Sequence, residues 1–309
     1  MTVSSAPPAT GRPIVPLVGY ALALSSAVLF ATKGIFIKLG YAEGLDPITL
    51  LALRMLFSVP IFAAVGLWTS IRAGWGGYRG RDIAAAAGVG MLGYWFASYA
   101  DFMGLMTLSP QFSRLILFTY PLFVVLFGAL FFAQPVRPLA LGAFAISYGG
   151  LAIVFVKDYA AMGSAITVGT LWVLASAVAF ALYQLLAKPL IRRLGAPLFT
   201  SIAMTAASAG LLTQFAATRP LERLLVTGPS LAIALGLAIG ATVLPAFLLS
   251  ASLSRISAQA NAMISTLSPV VTLGLAVAFL GETAGPLDLV GTALVIGGIW
   301  LFTRLDRAR

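Results

Sequence analysis

The chain is a succession of long apolar segments separated by short clusters of Gly, Pro and charge. A helix needs roughly 20 apolar residues to cross the hydrocarbon of a bilayer. Each long segment therefore predicts a membrane-spanning helix, and the predicted fold class is an all-α integral membrane protein with ten transmembrane helices. The ten segments cover residues 15–38, 47–71, 82–107, 110–132, 138–156, 166–188, 197–217, 230–253, 257–280 and 286–304.

The second half of the sequence echoes the first. Ser26 recurs 150 positions later as Ser176, and Pro121 recurs 148 positions later as Pro269. Each half holds five of the segments, and because five is odd, the second copy must enter the membrane from the opposite side. This predicts two inverted five-helix repeats, an arrangement typical of secondary transporters. The predicted parts are a disordered cytoplasmic tail over 1–14, an N-terminal repeat over 15–157 and a C-terminal repeat over 158–309.

Positive charge is distributed unequally between the two sides that these helices define. Cytoplasmic loops carry an excess of Lys and Arg, so the richer side predicts the cytoplasm and places both termini there. The richer side holds Arg12, Arg72, Arg79, Arg81, Arg137, Lys188, Arg192, Arg193, Arg255, Arg304, Arg307 and Arg309. The poorer side holds Lys38, Lys157, Arg219 and Arg223. The predicted location is the bacterial inner membrane, with several crossings.

Composition excludes several classes of function. Of the 309 residues, 60% are hydrophobic and 9% are charged, so lipid is the solvent that this surface suits. The chain contains neither Cys nor His, and its nine acids form no metal-binding cluster, so we expect no enzyme, metal or cofactor. A P-loop is also absent, which excludes ATP-driven pumping. The net charge of +10 is spread over short loops, which does not favour a nucleic-acid partner.

Several segments resemble a known family. The first and sixth helices carry SAVLFATKGIFIKLG and SAVAFALYQLLAKPL, and Arg54 lies in LLALRMLFSVPIF. The fourth and ninth carry SPQFSRLILFTYPLFVVLFGALFF and SAQANAMISTLSPVVTLGLAVAFLGE. Together they resemble the EamA-type exporters of the drug/metabolite transporter superfamily, over nearly the whole chain. The resemblance implies export of small metabolites, with the aromatic amino-acid efflux proteins as the nearest group. One departure is Ala133-Gln134, where the family pattern has Gly-Glu.

Four ionisable residues fall within the N-terminal spans: Lys33, Arg54, Asp101 and Arg114. A buried charge in a membrane requires a partner or a wet cavity. Asp101 and Arg114 flank the turn between the third and fourth helices at similar depth, so we expect them to pair, either as a structural clamp or as part of a substrate site. Lys33 either faces the cavity or extends its ammonium to the membrane surface. Arg54 is expected to face the cavity.

Polar and aromatic residues share helix faces with these charges, which predicts a central cavity surrounded by the first, third, fourth, sixth, eighth and ninth helices. The predicted substrate-binding residues are Ser26, Phe30, Lys33, Arg54, Tyr94, Ser98, Tyr99, Asp101, Arg114, Phe118, Phe180, Tyr183 and Gln259. Pro121 and Pro269 interrupt helices at matching places, and paired interruptions indicate moving, substrate-contacting helices. These two prolines are therefore the predicted hinges.

The function that these features favour is export of a small metabolite from the cytoplasm by alternating access, with an amino acid as the favoured substrate. Three buried cations against one acid also suit an anionic metabolite such as an organic phosphate, and a channel or scaffold is a further alternative. The expected partners are the small-molecule substrate and the lipid bilayer, with possible proton coupling, and the expected oligomeric state is a monomer.

Overall fold

In the computed structural model, the described residues are 14–73, 78–117, 119–132, 138–256, 261, 264–265, 267–281 and 285–307. Within them the chain is helical and contains no strand. The predicted tail over 1–14 lies outside this part except for its last residue, which begins the first helix. The helices are α1 Ile14–Ala42, α2 Pro47–Ala73, α3 Gly80–Leu105, α4 Pro110–Leu117, α5 Tyr120–Phe132, α6 Pro138–Met162, α7 Ala165–Leu194, α8 Ala196–Thr218, α9 Gly228–Leu253, α10 Ser268–Leu280 and α11 Pro286–Arg307.

Seven segments of the described chain are long and apolar enough to cross a membrane: α1, α2, α3, α7, α8, α9 and the combined stretch Pro110–Phe131 of α4 and α5. Shorter apolar stretches lie within α6, α10 and α11, at Ala145–Lys157, Val270–Leu280 and Pro286–Gly298. All of these segments fall on runs that the hydrophobic pattern predicts. The molecule is thus an all-helical protein with several membrane-crossing segments.

Local sequence explains how α2 begins. The Asp46 carboxylate accepts hydrogen bonds from the backbone N–H groups of Ile48 (3.1 Å) and Thr49 (3.3 Å) and from the Thr49 hydroxyl (2.6 Å). These bonds satisfy donors that the first helical turn leaves free. Pro47 occupies the first position of the helix, where a missing N–H costs nothing. The α1–α2 connection is therefore tight and carries a partly buried acid at its tip.

Helices α6 and α11 pack together through small residues. A Cβ atom added to Gly150 would lie 2.7 Å from the Gly291 carbonyl oxygen, and one added to Gly298 would lie 2.2 Å from Ser147 Oγ. The Ser147 hydroxyl donates to the Val295 carbonyl at 3.2 Å. Close backbone approach of this kind is how helices associate in lipid. Gly150 and Gly298 thus let α6 and α11 pack closely against each other, which leaves the remaining helices to enclose the centre.

Candidate functional site

A partly enclosed cavity lies at the centre of the helices. Its walls come from α1, α2, α3, α4, α5, α7 and α9 and from Asn261, Ser265 and Ser268, whereas α6 and α11 supply none of the described lining. The predicted cavity-lining helices are therefore the ones found, with α2 added through Arg54. The predicted residues that line it are Ser26, Phe30, Lys33, Arg54, Tyr94, Ser98, Arg114 and Phe180.

The four intramembrane charges form one cluster, but with different partners from those expected. Lys33 Nζ lies 2.6 Å from Asp101 Oδ2, and both side chains are buried. The Ser113 hydroxyl donates to Asp101 Oδ1 at 3.2 Å. The predicted Asp101–Arg114 pair was therefore wrong, because the packing of α1 against the α3–α4 hairpin brings the Lys33 ammonium to the acid. The alternative in which Lys33 extends to the membrane surface was wrong for the same reason.

Arg54 and Arg114 remain as cations without a dedicated acid. The Arg54 guanidinium lies 5.3 Å from the centre of the Phe102 ring, a cation–π distance. Arg54 Nε and Nη2 and Arg114 Nη2 are buried and have no hydrogen-bond partner among the described residues. Both arginines line the cavity, and Asp101 does not. With Lys33 neutralised by Asp101, two uncompensated positive charges face the cavity.

The aromatic residues fall into a lining layer and a supporting layer. Phe30 and Phe180 form apolar walls of the cavity. Tyr183 is fully buried behind Phe180, stacked on its ring at 5.7 Å, and its hydroxyl donates to Tyr94 Oη at 3.1 Å. Tyr99 lies outside the lining and packs edge-on against Trp172. Tyr183 therefore positions cavity residues, and Tyr99 supports a neighbouring helix.

Two hydrogen bonds fix the cavity helices at corresponding places in the two halves. The Ser26 hydroxyl of α1 donates to the Pro245 carbonyl of α9 at 2.9 Å. The Ser176 hydroxyl of α7 donates to the Ala97 carbonyl of α3 at 2.7 Å. Donors and acceptors are separated by the same 150 and 148 positions that relate the halves of the sequence. Ser26 is thus a structural tether as well as a lining residue.

The sequence pattern did not reveal that α3 and α9 each contain a π-helical segment, Met91–Phe96 in α3 and Gly236–Val243 in α9. Such widened turns shift the side chains that follow and are frequent at functional sites. Tyr94 of the first segment and Thr242 of the second line the cavity. Polar lining residues that the predicted set left out are Tyr120, Ser176, Gln184, Thr242, Asn261, Ser265 and Ser268. Of these, Ser176 is the residue that repeats Ser26 in the second half of the sequence.

The two predicted hinge prolines occupy the same place in their helices. Helix α4 ends at Leu117 and α5 begins at Tyr120, so Pro121 is the second residue of a new helix. Pro269 is likewise the second residue of α10. A proline in the first turn needs no backbone donor, so the interruption at Pro121 is a break between helices rather than a kink within one. Phe118 and Gln259 lie outside the described residues.

Ion pairs join the two halves at both ends of the bundle. Asp46, at the α1–α2 connection, accepts from Arg219 Nε and Arg223 Nη1, each at 3.2 Å, just beyond the end of α8. Asp82, at the start of α3, accepts from Arg193 Nη1 at 2.9 Å, at the end of α7. Helices α2 and α8 run between these two places over more than 20 residues, which is roughly 35 Å. The pairs therefore lie at opposite ends.

The pKa of Asp46 lies below its usual range. Partial burial alone would raise this pKa, but the hydrogen bonds from Thr49 and the charge and hydrogen bond of Arg219 outweigh it. Asp46 is thus held ionised, which its ion pairs with Arg219 and Arg223 require.

The fold and the central cavity together define a polytopic membrane protein with an interior cavity lined by polar and apolar side chains. The family model for the EamA-like transporter family matches residues 17–156 and again residues 167–304. The chain belongs to this family, so it is a membrane transporter, and the resemblance read from its sequence is confirmed. Membership of a transporter family also accords with the expectation that the chain is not an enzyme.

Individual relatives carry the comparison no further than this class. The chain is 29% identical over 278 residues to the uncharacterized transporter YcbK of Bacillus subtilis (strain 168), covering 87% of each protein. It also superposes on a protein of known crystal structure with a TM-score of 0.66, at 18% identity, over 96% of this chain and 99% of the other. At that identity, the second likeness shows a shared fold alone.

Proposed function

We propose that this transporter is a secondary carrier that exports a small amphipathic anion, bearing a carboxylate or phosphate, by alternating access. The observation that carries the proposal is the pair of arginines that line the cavity, Arg54 and Arg114, each with buried guanidinium N–H groups that lack a hydrogen-bond partner among the described residues, while Asp101 is engaged by Lys33. A buried guanidinium with free donors is a site for an anion, because it remains charged and its donors match carboxylate and phosphate oxygens. Phe30 and Phe180 would contact the apolar part of the substrate.

An amino acid is the second candidate, and the neutral side of the cavity favours it. Its carboxylate would bind the arginines as any anion does. Its ammonium would find the uncharged oxygens of Ser98, Gln184 and Tyr94 rather than a carboxylate, since Asp101 does not line the cavity. The absence of an acid in the described lining makes zwitterion recognition weaker than anion recognition. For this reason the anion stands first.

Two inverted five-helix repeats with ten spans supply the moving parts of the proposed mechanism. Four observations support this arrangement: the family model matches twice, the Ser26 and Ser176 tethers correspond, the π segments correspond, and both prolines open a helix. The Asp46 and Asp82 ion pairs join the halves at opposite ends, as gates that open in turn would require. Both termini would be cytoplasmic in the bacterial inner membrane, by the positive-inside bias.

The described interior contains one candidate for the group that would bind a coupled proton, the Lys33–Asp101 pair. A proton delivered to Asp101 would release Lys33 and change the net charge of the cavity cluster by one. We further propose that the working unit is a monomer, since the cavity is enclosed by the helices of a single chain.

Transport by purified protein in liposomes tests the proposal. We expect uptake of a labelled substrate to be inhibited by phosphate monoesters and by free carboxylates. Arg54→Gln or Arg114→Gln should raise the half-saturation concentration roughly ten- to hundredfold, as loss of a hydrogen bond to a charge predicts. Arg72→Gln is the matched control, since Arg72 stacks on Trp68 at the exposed end of the same helix as Arg54. Uptake of neutral solutes that is indifferent to both cavity arginines would refute the anion proposal.

A further inference from the structure

A second cavity, separate from the central one, opens on the flank of the bundle. It is an open groove between α2, α3 and α8, lined almost wholly by apolar side chains such as Phe62, Leu67, Ile83 and Leu198. Leu67 and Ile83 are exposed, at 54% and 41%. Along α2 the lining runs from Phe62 to Ser70, which is roughly 12 Å. Because α2, α3 and α8 are membrane-crossing helices, this groove faces the acyl chains of the bilayer.

A third cavity adjoins the groove at the end of the bundle marked by the Asp82–Arg193 pair. Its lining contains three arginines, Arg79, Arg81 and Arg193, and a single acid, Asp82. The balance is two positive charges in excess. Arg79 and Arg81 have no acidic partner among the described residues, and both are exposed. This cavity therefore presents positive charge at the level where a helix leaves the membrane.

Tyr78 lines both cavities, so the apolar groove and the cationic pocket lie next to each other. We propose that together they form one binding site for an anionic phospholipid, with its phosphate on Arg79, Arg81 and Arg193 and one acyl chain in the groove beside α2. The ring of Tyr78 would lie at the boundary between the two, a position that aromatic residues favour in membranes.

The chemistry of the ligand follows from the union of the two surfaces. A soluble anion would use the arginines and leave the apolar groove uncovered, whereas a zwitterionic lipid would fill the groove and gain nothing from the net positive charge. Only a molecule with an apolar chain and a net negative head matches both. Basic pockets between membrane helices are suited to such headgroups, and the site is independent of the substrate cavity and of what it carries.

Native mass spectrometry of the full-length detergent-solubilised protein tests the site directly, with phosphatidylglycerol and phosphatidylcholine of matched acyl chains as probes. We expect one phosphatidylglycerol to be retained in preference to phosphatidylcholine. Arg79→Gln/Arg81→Gln should lower that affinity by at least about tenfold, since each basic residue near a membrane surface contributes about 1 kcal/mol toward anionic lipid. Neither the parent protein nor the Arg79→Gln/Arg81→Gln variant should bind inorganic phosphate measurably.

Two controls separate a built site from general surface charge. Arg255→Gln/Arg304→Gln removes the same charge from exposed arginines at the same end and should leave selectivity unchanged. Ala63→Phe fills the groove from an exposed lining position and should weaken phosphatidylglycerol binding, whereas Ala64→Phe, exposed on the same helix but outside the lining, should not. Equal retention of the two lipids, or unchanged selectivity in Arg79→Gln/Arg81→Gln, would overturn the proposal.

Discussion

The Lys33–Asp101 pair offers a perturbation whose size follows from its surroundings. Asp101 is 1% exposed and Lys33 9%, so Asp101→Asn leaves an ammonium ion buried without its acid. Removing one partner of a buried ion pair costs about 3–5 kcal/mol, mostly for the charge that stays behind. At about 2 °C per kcal/mol for a chain of this size, the apparent melting temperature should fall by roughly 6–10 °C.

The companion variant is Lys33→Met/Asp101→Asn, which removes both charges together. It leaves the excess of two positive charges on Arg54 and Arg114 unchanged, because the lost ammonium and carboxylate cancel. Replacing a buried pair by neutral groups of similar size is often close to neutral in stability. We therefore expect the double variant to recover most of the lost melting temperature and to keep its affinity for an anionic substrate.

The assay is thermal unfolding of purified protein in detergent, followed by uptake into liposomes for each variant. Glu222→Gln is the control, since Glu222 is an exposed acid at the end of the bundle and should shift stability by no more than about 0.5 kcal/mol. A single variant as stable as the parent, or a double variant as unstable as the single one, would refute the reasoning. A stable double variant that no longer transports would instead point to proton coupling or substrate contact through the pair.

Three further outcomes follow from other parts of the structure. Gly93→Ala should destabilise the protein, because the new Cβ would lie 2.4 Å from a tyrosine ring, whereas Gly88→Ala on the same helix meets open space and should stabilise it by about 0.5–1 kcal/mol in thermal unfolding. In proteoliposomes, Ser98→Cys places a thiol in the cavity. Combined with Asp46→Asn or with Asp82→Asn, this thiol should be labelled faster by impermeant thiol reagents, and the two combinations should admit the reagent from opposite sides of the membrane. Because the pKa of Asp46 is lowered in the folded protein, its stabilising contribution is present above its unfolded pKa of about 3.9 and is lost as the pH falls below that value. The difference in melting temperature between the parent and Asp46→Asn should therefore stay constant from about pH 8 to 5 and shrink below about pH 4.

The membrane segments and the faces that line the cavity could be predicted because lipid imposes a simple rule on sequence. Every crossing needs a continuous apolar run, so a polar stripe such as Ser26, Phe30 and Lys33 on α1 can point only toward a protected interior. The structure places all three in the cavity wall. The same rule indicated Arg54, the one charge in the predicted apolar segment 47–71.

Partnerships between helices could not be predicted in this way. Asp101 and Arg114 lie at similar depth within one hairpin, which the sequence shows, whereas the ion pair of Asp101 with Lys33 depends on how α1 packs against that hairpin. The π segments of α3 and α9 have no local sequence signal, since their extra residue is accommodated by packing rather than by propensity. Tyr183 shares a face with Phe180 by spacing, yet the stacked rings leave only Phe180 at the surface of the cavity.

The distribution of charge between the halves bears on how a carrier of this kind could work. The positions that correspond to Lys33 and Asp101 in the C-terminal half, at offsets of 150 and 148, are Tyr183 and Leu249, so the whole charge cluster belongs to the N-terminal half. An anion held by Arg54 and Arg114 would then stay with one rigid body as the halves rock. Its contacts with the other half, through Phe180 and neutral polar groups, could break without exposing an unpaired charge. We expect substitutions in the C-terminal wall, such as Phe180→Leu, to change which apolar portion is accepted while leaving the requirement for a negative group intact, because the two tasks lie on different halves.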